Sequence, residues 1–151
     1  MMDRQDRTCL LEGLLKERIL VFDGAMGTAI QARNLTAEDF GGPDLEGCNE
    51  NLVRTRPDVV LDIHRGYLEA GADIIETNSF GSTAIVLAEY RLKDSVHDLT
   101  QAAARLARQA AEDTRLQAYE ERNRLRDQVN RLKKDLDDVK AVITKVSDER
   151  K

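Results

Sequence analysis

The sequence predicts an α/β head followed by a long C-terminal helix that becomes a coiled coil. Two short apolar runs, residues 19–22 and 73–77, each lead into a polar, Gly-containing turn. Stretches with apolar residues at helical spacing alternate with them, the pattern of parallel strands joined by right-handed crossovers. After Gly81 the chain contains neither Gly nor Pro, and its C-terminal part repeats apolar residues every three and four positions.

Taken in order, Cys9, Leu10, Leu11, Leu14 and Leu15 lie at helical spacing over residues 7–16. Cys9 falls on the apolar side and is expected as a small buried thiol. The first strand follows at residues 19–22. The stretch Asp23-Gly-Ala-Met-Gly-Thr28 turns into a short helix through Ala29, Ile30 and Ala32. Residues 34–51 form a long loop, punctuated by Gly41-Gly-Pro-Asp44. Pro57 suits the first position of a helix and Asp58 its first turn. Val60, Ile63, Tyr67 and Leu68 give that helix an apolar stripe, and Gly71 stops it. His64, beside the stripe, is expected as a packed or surface residue rather than a catalyst. The second strand, residues 73–77, has a buried centre at Ile74-Ile75. A turn at 78–82 and a helix from Thr83 to about Tyr90 complete the head.

The tail differs in composition. Residues 113–151 carry 9 acidic and 11 basic side chains, against 19 and 12 in residues 1–112. The division is therefore a head, 1–94, and a long helix, 95–151, with heptads from about residue 118. Leu125, Leu132, Val139 and Val146 occupy d positions, and Val129, Leu136 and Ile143 occupy a positions. Glu121 with Arg126, and Asp135 with Lys140, fall at g and the following e. That arrangement suits a parallel two-stranded coil and a homodimer.

A formal net charge of -5 argues against nucleic acid as a partner. No apolar run is long enough to span a membrane. The charged N-terminus lacks the apolar core of a secretory signal. Cys9 and Cys48 do not make a disulfide framework. A reducing, cytoplasmic setting is the expectation.

The turn at 23–28 is neither a dinucleotide fingerprint nor a Walker loop. It offers a carboxylate at a strand end and free backbone N–H groups at a helix start. Those groups suit a zwitterion, the carboxylate taking an ammonium and the N–H groups a carboxylate. Asp23 acting only as a helix cap is an equal alternative.

Several stretches go further. Arg18-Ile-Leu-Val-Phe-Asp-Gly-Ala-Met-Gly-Thr28, Ala37-Glu-Asp-Phe40, Asn49-Glu-Asn-Leu52, Pro57-Asp-Val-Val60, Tyr67-Leu-Glu-Ala-Gly-Ala-Asp-Ile-Ile-Glu-Thr-Asn-Ser-Phe80 and Ala102-Ala-Ala-Arg-Leu-Ala-Arg108 occur in this order. Residues about 12–112 thereby resemble the start of the homocysteine S-methyltransferase domain, of the cobalamin-dependent methionine synthase type. The resemblance implies an eight-stranded β/α barrel that moves a methyl group to a homocysteine thiolate held on zinc. Cobalamin or folate would supply the methyl group from other domains. It implies that Asp23 contacts the homocysteine ammonium, that Gly24 and Ala25 face its carboxylate, and that Asn78, Ser79 and Phe80 line the mouth near the metal. The adjacent cysteine pair that binds zinc in the family has no counterpart here, nor do the later strands or a later acidic residue that shares the ammonium. The expectation is therefore the two-strand start of a (β/α)8 barrel, with no metal ligand or catalytic residue of its own and no methyl transfer alone. The alternative is a coiled-coil interaction protein with a small α/β head.

Overall fold

A computed structural model describes residues 3–148. Its helices are α1 (Arg4–Glu17), α2 (Met26–Gln31), α3 (Ala37–Phe40), α4 (Leu52–Thr55), α5 (Pro57–Glu69), α6 (Ala84–Glu89) and α7 (Val96–Asp148). Short 3-10 turns occupy Pro43–Leu45, Asn49–Asn51 and Lys93–Ser95. The chain divides into two compact units, Met1–Thr114 and Arg115–Lys151. None of the helices is long and apolar enough to cross a membrane.

The expected strands do not form: among the described residues there is no strand and no sheet. The two apolar runs meet at one isolated parallel bridge, Phe22 with Ile74. Asp23 N–H donates to the Ile74 carbonyl at 2.9 Å, and the Asp73 and Ile74 N–H groups donate to the Val21 carbonyl at 2.8 and 3.2 Å. The physical reason is a shortage of neighbours. Parallel strands persist where other strands flank them and helices cover both faces. Here Ile19, Val21 and Phe22 are 88, 54 and 60% exposed, and Ile74 and Ile75 are half-buried rather than buried. The first unit is thus a helical body, not an α/β barrel start.

Its core forms around α5. Val59, Val60, Ile63 and His64 are buried on one face of that helix. Ile30 of α2, Leu52 and Val53 of α4, Leu87 of α6, and Leu99 and Ala103 of α7 complete the cluster. The α7 face toward this core reads Leu99, Ala103, Ala107, Ala110, all buried. Small residues at those positions let the helix backbone approach closely, and the Arg65–Asp113 ion pair at 2.5 Å ties it to α5. Gly71 ends α5 at φ 101°. Its N–H and that of Ala72 bond back to Leu68 and Tyr67, both at 3.0 Å, so the left-handed C-terminal turn needs glycine.

Two expectations of burial change. α1 buries none of its residues, and Cys9 is exposed, because no element covers its apolar side. The expected loop at 34–51 is instead folded: Phe40, Cys48, Glu50 and Asn51 are all buried. The Asn51 amide donates to the Phe40 carbonyl at 2.7 Å and closes the loop on itself.

In the second unit, side chains 115–141 are exposed apart from half-buried Asn123. The seam residues Leu125, Val129, Leu132, Leu136 and Val139 are 47–59% exposed. The side chains of Ile143 and Val146 lie outside the described residues.

His64 is fully buried, and neither ring nitrogen has a hydrogen-bond partner among the described residues. Desolvation lowers its pKa from 6.5, with a smaller opposing pull from Asp23. The folded chain therefore binds fewer protons than the unfolded chain as pH falls below 6.5, so this contribution to stability is present above that value and is lost below it. Thermal melting is expected to drop on going from about pH 7.5 to about pH 5.5, and His64→Leu should flatten that slope. An unchanged slope in the variant would assign the dependence elsewhere.

Candidate functional site

Two aspartates clasp the polar turns together. The Asp73 carboxylate takes both Arg18 guanidinium nitrogens at 2.7 and 2.5 Å and the Val21 N–H at 3.0 Å. The Arg18 hydrogen bonds, more than any other influence, bring its pKa down to about 2. In the reverse direction, Asp23 Oδ1 accepts the Glu76 N–H at 2.9 Å. Each aspartate thus anchors the backbone of the other run.

The clasp sets the turn at 23–26 against the turn at 76–80. Between them is a cavity of about 90 Å³ lined by Asp23, Gly24, Ala25, Met26, Glu76, Thr77, Asn78, Ser79 and Phe80. All six residues singled out from the sequence as substrate-binding line it. Ala25 sits at φ 51°, ψ 35°, a left-handed conformation that is costly for a residue with a Cβ. It starts α2 without a side-chain cap. Among the described residues, the N–H groups of Gly24 and Ala25 make no hydrogen bond. One Asp23 oxygen is held by Glu76, which leaves the other as an acceptor.

The six differ in what they can still do. Asn78 is buried, and its amide nitrogen donates to the Asn49 carbonyl at 2.8 Å, so it pins the turn. Ser79 shares a 2.6 Å hydroxyl contact with Thr77. Phe80 is wholly exposed at the rim. Met26, Glu76 and Thr77 also line the cavity and were not singled out. Their adjacency to the named residues in both turns was the available signal.

Glu50 supports the site from beneath. It is 9% exposed, and Oε1 accepts the Gly81 N–H at 2.8 Å. A Cβ at position 81 would lie 2.5 Å from Oε1 and 2.9 Å from the carboxyl carbon, so only glycine leaves room. Nothing in hydropathy marked Glu50, because an acidic residue in a polar loop reads as solvated.

With this geometry in place, comparison with known proteins decides the family. The family model for homocysteine S-methyltransferase matches residues 20–143. The chain belongs to the homocysteine S-methyltransferase family. Two relatives are the proteins named methionine synthase from Mycobacterium tuberculosis (strain ATCC 25618 / H37Rv) and Mycobacterium leprae (strain TN). The first is 51% identical over 100 residues, 66% of this chain and 8% of the relative. The second is 51% identical over 106 residues, 70% of this chain and 8% of the relative. The chain thus spans 8% of the length of each methionine synthase it matches. The family match runs past residue 112, where the resemblance read from the sequence ends, into the second unit.

The donor set does not fit the zinc that the family implies. Among the described residues no group of three or more His, Cys, Asp or Glu could hold a metal ion. Cys48 is fully buried, and burial pushes its thiol pKa up, which works against the thiolate a metal needs. Cys9 lies exposed on α1. Among the described residues, this family member therefore has a small polar cavity of about 90 Å³ with no metal-binding set beside it.

Gly81→Ala is expected to displace Glu50, break its bond to the 76–81 turn and cost about 1–3 kcal/mol by overpacking. Urea unfolding measures the loss, and amide exchange at residues 76–81 should rise with it. Full retention of stability would show the Glu50 contact to be slack.

Proposed function

We propose that the cavity holds the amino-acid end of homocysteine, and that the chain is the substrate-binding opening part of a methionine synthase type methyltransferase. The free Asp23 oxygen takes the ammonium. The N–H groups of Gly24 and Ala25 take the carboxylate. The thiol end then points out past Phe80 toward solvent. What carries this reading is the convergence of a half-free carboxylate and two unpaired N–H groups in one cavity of a family member. The volume also supports it: about 90 Å³ suits a small zwitterionic head group, well below the ~300 Å³ at which drug-sized pockets begin.

The chemistry of the full reaction is methyl transfer to the homocysteine sulfur, giving methionine. This chain's own residues bind and orient the nucleophile's head group. They do not lower its thiol pKa, and no step is assigned to Cys9 or Cys48. The second reading is that the C-terminal part of α7 is an association surface. It is favoured by the apolar row left exposed there. It concerns another part of the molecule and is compatible with the first.

Calorimetric or NMR titration of the full chain with L-homocysteine tests the site. The expected result is weak saturable binding that an analogue lacking the amino group does not reproduce. Asp23→Asn should weaken it about 10–100-fold, the effect of losing a charge-assisted hydrogen bond of about 1.5–3 kcal/mol. In the same samples, zinc and a methyl donor should yield no methionine. Binding indifferent to Asp23, or clear turnover, would overturn the assignment.

A further inference from the structure

We infer that the partner of the exposed α7 tail is a second copy of this chain, bound in parallel and in register. This rests on reading the tail as an association surface.

Leu125, Val129, Leu132, Leu136 and Val139 recur at spacings of four and three on one helix and are about half exposed. Among the described residues of its own unit nothing covers them. A lone helix of this kind keeps an apolar row in water and draws little from its surface pairs. Among them are Arg124 with Glu121 and Lys140 with Asp137, each at 3.6 Å and largely exposed. The row follows a 3.5-residue period, which matches the seam of a left-handed coil rather than the wider stripe of a helix packed on a globular core.

Charge decides what covers the row and in which direction. The e positions are Arg126, Lys133 and Lys140, all basic. The g positions are Glu121, Gln128 and Asp135, acidic or neutral. In an antiparallel pair e faces e and g faces g, so like charges meet along both flanks. In a parallel pair each g faces the next e of the other copy, giving Glu121 with Arg126, Gln128 with Lys133 and Asp135 with Lys140. One sequence therefore complements itself only in parallel. Exposed pairs within a helix exchange readily for these contacts.

The test uses the full chain. Sedimentation across the micromolar range is expected to show a monomer–dimer equilibrium. Leu132→Glu combined with Leu136→Glu should abolish it while leaving homocysteine binding unchanged. In a Cys9→Ser background, Leu125→Cys should form a disulfide-linked dimer under mild oxidation. An antiparallel pair centred on the seam would hold these thiols apart. A dimer that depends on the seam but never cross-links at 125 would overturn the parallel arrangement and keep the association surface. A monomer at all concentrations, or a dimer indifferent to the two glutamates, would overturn both.

Discussion

Everything in the first unit that resembles a binding site depends on the exchange between Asp23 and Asp73. Each carboxylate crosses to the opposite run and accepts a backbone N–H there, from Glu76 and Val21. Arg18 neutralises Asp73 and fixes its orientation. With one isolated bridge as the sole strand-like contact among the described residues, ladder hydrogen bonding cannot set the geometry of the two turns. Side-chain to backbone bonds take over that task. Such bonds to a charged acceptor are stronger than neutral ones, and here they replace a sheet locally.

Beneath the clasp, the helical body supplies rigidity. α5 is capped at both ends by residues with fixed backbone preferences, Pro57 at its start and Gly71 beyond its end. Its buried face carries His64 among apolar neighbours, so part of the core is polar and unpartnered. The loop at 41–51 contributes a second buried polar element. Glu50 and Asn51 point inward and bond to the backbone at Gly81 and Phe40. The turn at 76–81 is thereby fastened to the scaffold by Glu50, and the turn at 23–26 is tied to it through the Asp23 clasp. This explains how a cavity forms between segments some 50 residues apart without a sheet to carry them.

In the function proposed above, this arrangement recognises a head group. A carboxylate with one free oxygen and two N–H groups without partners can bind a zwitterion. They cannot make a thiolate. Burial pushes the thiol pKa of the one buried cysteine, Cys48, upward, away from the thiolate form.

The longer helices, their stops and the polar turns were legible in the sequence, because each depends on local chemistry, whereas the short α3 and α4 were not. Pro57, Gly71, Thr83 and the Gly-free, Pro-free stretch after Gly81 dictate backbone behaviour within a few residues. The motifs from Arg18 to Thr28 and from Tyr67 to Phe80 marked both walls of the cavity. Tertiary structure alone decided three things: that the apolar runs at 19–22 and 73–77 stop at a single bridge, that Cys9 faces solvent, and that Glu50 is buried. Each is a question of neighbours. A strand exists only where another backbone pairs with it, and a side chain is buried only where another element covers it. No local pattern records whether that partner is present.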